Sequence, residues 1–272
     1  MYFVSKPNTD AFNFLDAAGI TRTDNNSATI KGIADLTTDL KSYGLWNKMK
    51  AVYPMVGGTS GSCKFNLINP QDTDAAFRLV FNGGWTFDNT GATPNGSNAY
   101  ADTKLNIKNI LPDTNNQHIS FYSRTIGGVA GTYYTMGALD VGDALTSMLI
   151  RWTLSSDIDS NYMYISDPWT ASTPAAFTDA ATHGFYLGSR NSTNNVKSYR
   201  NGVKRSDYTS TPNSIAPNYN LYLSARNYSG AANFFDYKQC AFASIGFGLT
   251  ETEASNLYTA VQRFQTTLGR QV

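Results

Sequence analysis

The stretch 183-HGFYLGSRNSTNNVKSYRNGVKRSDY-208 decides how the chain is read. At its centre, Asn201-Gly202 supplies two residues that tolerate positive φ, as a two-residue type I′ turn requires. The flanking VKSYR and VKRSDY therefore pair as an antiparallel hairpin. Ahead of them HGFYLGSR alternates, with Phe185 and Leu187 on one face and Tyr186, Gly188 and Arg190 on the other. Lys204 and Arg205 make the hairpin tip basic, which either contacts a partner or keeps an edge strand soluble.

Working outward, the same texture begins near Ala51. Short runs such as AVYPMV, AFRLVF, HISFYSR, SMLIRWTLS, NYMYIS, YNLYLSAR and QCAFASIGFG are punctuated by Gly, Pro, Asn and Asp. Their spacing leaves no room for crossover helices, which points to antiparallel sheets in a sandwich. In SMLIRWTLS, Met148, Ile150, Trp152 and Leu154 face one way, and Leu149, Arg151 and Thr153 the other. The two ends read differently. NTDAFNFLDAAG (8–19) has capping residues Asn8 and Thr9, apolar Phe12 and Leu15, and a stop at Gly19. NNSATIKGIADLTTDLKSYG (25–44) places Ile30, Ile33, Leu40 and Tyr43 near helical spacing. LTETEASNLYTAVQRFQTTLG (249–269) carries a capping box, Thr250 with Glu253, and a stripe of Ala254, Leu257, Tyr258, Val261, Phe264 and Leu268. The expected organisation is mainly β. Residues 1–50 form a helical attachment or packing segment, and 51–272 a two-sheet antiparallel sandwich closed by a helix over 251–268.

The 272 residues are 41% hydrophobic and 15% charged, with a net charge of +1. No strong overall field draws in nucleic acid or an anionic membrane. No apolar run is long enough to cross a bilayer. The opening MYFVSKPNTD lacks the basic and apolar regions of a secretory signal. Synthesis in a cytoplasm is expected, with any role outside the cell reached by lysis or within an assembled particle. Cys63 and Cys240 are expected as small buried thiols, and their sequence spacing leaves pairing open.

Three segments repeat an aromatic residue and an arginine: FYSRT (121–125), YLGSRN (186–191) and YLSARN (222–227). Alternation sends Ile119 and Phe121, Phe185 and Leu187, and Leu221 and Leu223 to a core. It sends Tyr122 with Arg124, Tyr186 with Arg190, and Tyr222 with Arg226 to the other face. If the strands share one sheet, three tyrosines and three arginines gather on one surface. Such a surface suits sugar binding through ring stacking and planar donors. It equally suits subunit contact, and equally an ordinary solvated face with cross-strand stacking.

The last third of the chain resembles the concanavalin A-like lectin/glucanase superfamily, especially its LamG-like branch. FYLGSRN is similar to the strand before that family's small hairpin, YRNGVK to the hairpin, and FASIGFGLTETEASNLY to the closing strand and helix start. VYPMVGG, NPQDTDAAFRL, PNGSNAYADT and AVQRFQTTLGR resemble segments of bacteriophage virion proteins in which helices precede a lectin-like jelly roll. The resemblance implies a jelly roll in a fibre, spike or decoration protein of a virion. Its expected partners are copies of itself (a trimer would suit), other virion proteins and a host-surface glycan, with neither nucleic acid nor membrane insertion. A carbohydrate-active enzyme and a cellular carbohydrate-binding module of the same fold are the alternatives.

Glucanases of this superfamily use paired glutamates on a strand, about 5 Å apart where hydrolysis retains configuration. The chain has two glutamates, Glu251 and Glu253, both at a helix start where they complement the dipole. Asp140 with Asp143 and Asp157 with Asp159 read as turn residues. His118 and His183 each head a strand and read as structural. No nucleophile elbow, zinc spacing, phosphate loop or dinucleotide fingerprint appears. The expectation is a non-enzyme that requires no cofactor. Calcium is the one candidate, because Asp157, Asp159 and Asn161 alternate like the opening of an oxygen-ligand loop and the superfamily often uses calcium. Tyr162 and Pro168 stand where an EF-hand needs Gly and Glu.

Overall fold

A computed structural model describes residues 8–127, 131–142, 144–152, 160–168, 175–193, 195–209 and 215–272. Helices α1 (Thr9–Ala17) and α2 (Ser27–Ser42) open the chain. Then come β1 (Met49–Tyr53), the one-turn α3 (Ser60–Cys63), β2 (Val80–Asn82), β3 (Trp85–Asp88), β4 (Gly91–Pro94), β5 (Tyr100–Asn106) and the one-turn α4 (Ile107–Ile110). Next are β6 (Gln117–Ser123), β7 (Met136–Leu139), β8 (Ala144–Trp152), β9 (Ser160–Pro168), β10 (Ala175–Thr178), β11 (Gly184–Ser192), β12 (Asn195–Arg200) and β13 (Val203–Tyr208). The chain ends with β14 (Asn220–Leu223), β15 (Arg226–Tyr228), β16 (Ala231–Asn233), β17 (Cys240–Gly246) and α5 (Glu251–Thr267).

The strands form two stacked sheets. One has eight strands in the order β13-β12-β11-β6-β17-β4-β3, with β1 also on β17. The other has nine, β10-β9-β8-β7-β14-β5-β2, with the β15–β16 hairpin joined to β7. Every described pairing between these strands is antiparallel except β15 with β7, and an isolated Tyr134–Phe235 bridge is also parallel. The expected mainly β sandwich with helices at both ends is therefore observed.

The predicted hairpin joins β12 and β13. Asn201 and Gly202 have φ of 48° and 76°, and Asn201 Oδ1 accepts from the Phe185 amide at 2.8 Å, so the turn also fixes the start of β11. Strand β13 lies at a sheet edge. Its Lys204 pairs with Glu251 and Asp207, and its Arg205 with Asp179, so the basic tip has acidic partners within the chain.

Two apolar cores stack on one another. Between the sheets lie Ile119, Phe121, Met148, Ile150, Met163, Leu221, Leu223 and Ile245. On the outer face of the eight-stranded sheet, Tyr122, Phe185, Leu187 and Phe242 meet Phe14, Leu15, Ile33, Leu36, Leu257, Val261 and Phe264 from the helices. Gly32 makes this contact close, since a Cβ there would lie 3.2 Å from the Phe264 ring. The capping box forms as predicted, with Glu253 N donating to Thr250 Oγ1 and Thr250 N to Glu253 Oε2. The apolar faces of α1 and α2 are thus buried in a core shared with the sandwich. The expected boundary at 50/51 falls inside β1, whose residues contribute to both cores.

A fully buried ion pair crosses the inter-sheet space. Arg190 on β11 donates to Asp167 on β9 at 3.1 Å, to the Ile165 carbonyl at 3.2 Å and to the Thr193 carbonyl at 2.9 Å. Both side chains of the pair are buried. Burial pulls the Arg190 pKa down and the Asp167 carboxylate opposes that pull. Asp167→Ala strands a buried cation and is expected to cost about 3–5 kcal/mol in urea unfolding, whereas Arg190→Met with Asp167→Leu is expected to cost less. An unchanged midpoint in Asp167→Ala would show that the pair holds nothing together.

Candidate functional site

The predicted Tyr–Arg surface does not assemble, because its three segments meet three different environments. Tyr122 lies on the helix-covered face, where its hydroxyl accepts from Val272 N at 3.0 Å and donates to Gln262 Oε1 at 3.2 Å. Arg124 holds the Arg270 carbonyl at 2.7 Å and Gln239 Oε1 at 3.0 Å. These two residues clamp the C-terminal tail. Tyr186 faces the inter-sheet core, donates to the Ala181 carbonyl at 2.6 Å and stacks on Phe177 at 6.4 Å. Burial pushes its pKa up to about 12. Arg190 is the sheet-crossing cation. Tyr122 pairs with Phe185, and Tyr186 with Phe121. The two tyrosines are therefore out of phase and point to opposite faces of one sheet.

Tyr222 and Arg226 alone reach the outer face of the nine-stranded sheet, over which none of the long helices packs. Leu221 and Leu223 point inward, so Tyr222 points out, where it stacks on Tyr100 at 4.7 Å with Asp102 below. After Leu223 the chain turns back, and β15 crosses over β7. Gly137 permits the crossing, since a Cβ there would lie 3.1 Å from Arg226 Cα. Arg226 then sits among three rings: Phe234 at 4.6 Å, Tyr134 at 4.9 Å and Tyr228 at 5.2 Å. Its Nε donates to Asn233 Oδ1 at 3.0 Å, and a terminal nitrogen to the Tyr134 hydroxyl at 3.3 Å.

This group combines a fixed cation with displayed rings. Arg226 is 7% exposed and Tyr134 fully buried, while Tyr228 and Phe234 are each 43% exposed. Tyr134 belongs to a small cluster with Leu139, Leu145 and Leu149 on the same face. Phe234 has φ of 52°, a left-handed conformation that costs a bulky side chain on the order of 1–3 kcal/mol. Sequence reading missed Tyr134, Tyr228, Asn233 and Phe234. The available signal was Ser229-Gly230, a turn dipeptide whose residues have φ of 50° and 97° and which closes the β15–β16 hairpin.

The other expected groups fall as follows. Glu251 is held by Lys197 and Lys204, and Glu253 by Lys48 and the Thr250 amide. Asp140 accepts from the Gly142 and Asn218 amides, as a turn residue does. Asp143, Asp157 and Asp159 lie outside the described residues. Asn161, the third member of the calcium candidate, is buried in β9. Its Oδ1 accepts from Arg151 N at 3.1 Å, and its amide nitrogen reaches the Phe177 and Asp179 carbonyls. Among the described residues no three His, Cys, Asp or Glu side chains group as metal ligands. Cys63 and Cys240 are buried free thiols, and burial pushes the Cys63 pKa up to about 11.

No protein-family model and no curated protein matches the chain. Solved structures do. Domain 4 of AbnA, a GH43 extracellular arabinanase from Geobacillus stearothermophilus solved in complex with arabinotriose, aligns with a TM-score of 0.52 and 13% identity. The alignment covers 77% of this chain and 98% of that domain. The binding domain of botulinum neurotoxin serotype D aligns with a TM-score of 0.49 and 10% identity, covering 79% of this chain and 52% of the toxin domain, about half its length. These neighbours are β-sandwich domains of the lectin-like kind, and at such identities the likeness is one of fold.

His118 resembles half of a catalytic dyad yet cannot act as one. Its Nδ1 donates to the Phe247 carbonyl at 2.6 Å, and its Nε2 lies 3.1 Å from Ser244 Oγ, which meets Ser120 Oγ at 2.6 Å. All three residues are fully buried, so no substrate reaches them. Desolvation lowers the His118 pKa from 6.5 to about 4, with Lys48 adding to the shift and the Phe247 bond and Glu253 opposing it. The unfolded chain therefore binds the proton more readily than the folded one. The stability associated with neutral His118 is present above pH 6.5 and is lost as pH falls towards 4, by about 3 kcal/mol. Across that interval His118→Asn is expected to flatten the dependence of unfolding free energy on pH. Equal slopes in variant and wild type would refute the assignment.

Proposed function

We propose that the chain is a non-enzymatic structural and adhesion protein of a bacteriophage particle, a fibre, spike or decoration protein. In this reading it is made in the host cytoplasm and built into the virion. Copies associate through the helix-free sheet face around Arg226, with a closed trimer suited to a fibre or spike. The sandwich is thereby displayed toward a host surface. One observation carries the assembly role: Tyr228 and Phe234, each 43% exposed, flank an almost buried guanidinium. Aromatic residues and arginine dominate binding hot spots, and rings fixed in place lose little entropy when a partner covers them. Arg226 already donates to Asn233 and Tyr134, so this face favours a protein partner over a polyol.

The virion setting rests on the resemblance of the terminal and upstream segments to phage proteins. The adhesion role is supported by the sandwich shared with AbnA domain 4, whose structure was solved in complex with arabinotriose. The non-enzymatic reading rests on the carboxylates. Both glutamates lie at a helix start, not on a strand, and both are tied to lysines.

Light scattering coupled to size-exclusion chromatography tests the assembly role. The wild-type protein is expected as a closed oligomer. Tyr228→Ala with Phe234→Ala is expected to dissociate it with an unchanged circular dichroism spectrum, each truncation costing about 2 kcal/mol or more. A monomeric wild type, or an oligomer indifferent to both changes, would remove the sheet face from assembly.

A further inference from the structure

We infer that a polar cleft where α5 meets the eight-stranded sheet binds a neutral, hydroxyl-rich saccharide. The cleft has a volume of about 530 Å³, within the usual range of small-molecule sites. Three chain segments wall it: the turn ahead of β6, the end of β11 and the entry to α5, with Lys48 at the side. None of its residues belongs to the aromatic face, so the inference stands apart from the assembly role.

The walls are set before any ligand arrives. Asn116 Oδ1 accepts from Gly248 N at 2.8 Å, linking the first wall to the third. Ser189 Oγ accepts from Leu249 N at 2.8 Å and donates to the Leu249 carbonyl at 3.0 Å, linking the second to the third. Arg190, itself held by Asp167, fixes the Thr193 carbonyl from behind, and His118 fixes the Phe247 carbonyl. Gly248 is packed so closely that a Cβ would lie 2.1 Å from the Arg190 carbonyl oxygen. Buried side chains thus supply the support that a preorganised site needs.

The lining selects the ligand class. Asn115, Asn191, Ser192 and Thr193 line the cleft, and their side chains make no hydrogen bond to the described protein. Carboxamides and hydroxyls both donate and accept, which matches the paired donor and acceptor character of sugar hydroxyls. Charge argues against an anion. Lys48 is paired with Glu253 at 2.7 Å, Asp113 adds a carboxylate, and the N-terminus of α5 already carries Glu251 and Glu253. Among the described residues no aromatic ring lines the cleft, so binding rests on hydrogen bonds and is weak at a single site.

Amide NMR spectra of the full chain test this, with arabinotriose, maltotriose and cellotriose each titrated to tens of millimolar and inorganic phosphate as the anion control. At least one sugar is expected to move the amides of Asn115, Asn116, Asn191, Thr193 and Gly248 saturably. Asn115→Ala with Asn191→Ala, both at the surface, is expected to weaken that response at least tenfold while leaving the rest of the spectrum and the oligomeric state unchanged. Three outcomes overturn the assignment: no response to any of the sugars, a response to phosphate alone, or sugar shifts that map to Tyr228 and Phe234.

Discussion

Burial of the outer face of the eight-stranded sheet beneath α1, α2 and α5 is the constraint on which the rest depends. A sheet wet on one side alternates apolar and polar residues, but a sheet covered on both sides has no polar side. All of β6 and β17 is buried, and β11 is buried from Gly184 to Arg190. Most polar groups there are held by partners, as in the His118–Ser244–Ser120 chain and the Arg190–Asp167 pair, although Ser123 Oγ and Arg190 Nε are buried without one among the described residues. Arg270 closes the arrangement. Its guanidinium is buried, donates to the Pro54, Met55 and Ala241 carbonyls and to Gln265 Oε1, and lies over the Phe264 ring. A buried cation without a carboxylate is costly, and a delocalised fork with several good acceptors is the form that best tolerates it.

That covered face also sets what the sequence could disclose. Local chemistry was legible. Asn201-Gly202 specified its turn, Thr250 and Glu253 their capping box, and Met148, Leu149 and Ile150 their alternation, because each depends on residues only a few positions apart. The Tyr–Arg repeat was misread because alternation reports parity and not which face is wet. Tyr122 and Tyr186 are both polar-tipped rings in apolar strands, yet one faces helices and the other faces the second sheet. Sheet membership is a long-range property as well. Nothing in YLGSRN and YLSARN reveals that β11 and β14 belong to different sheets.

The same asymmetry explains why the candidate site lies on the nine-stranded sheet. With the helices on one side of the sandwich, the opposite face must dispose of its own apolar surface. It does so partly with the β15–β16 hairpin, which folds back over β7 where Gly137 leaves room. The fold-back carries Arg226 into the rings, and Phe234, just after the hairpin, takes a positive φ. Strain in a half-exposed aromatic residue persists only where its surroundings over-determine it. Here the Phe234 carbonyl accepts from Tyr134 N at 3.0 Å, and the Arg226 guanidinium, bonded to Asn233 in the paired strand, rests on the Phe234 ring.

Two surfaces of opposite chemistry on one domain make the proposed assembly and adhesion roles compatible. The aromatic face belongs to the nine-stranded sheet, whereas the carboxamide cleft adjoins the eight-stranded sheet and α5, so occupying one leaves the residues of the other untouched. A hydrogen-bonding cleft without ring stacking holds a sugar weakly, and a monomer would be a poor adhesin. A closed oligomer presents several such clefts at fixed spacing. Once the first is filled, the next binds at an effective concentration set by that spacing, and avidity gains of about 10²–10⁴ follow without any new contact. On this reading, association through Tyr228 and Phe234 is what would make weak clefts adequate for holding a surface.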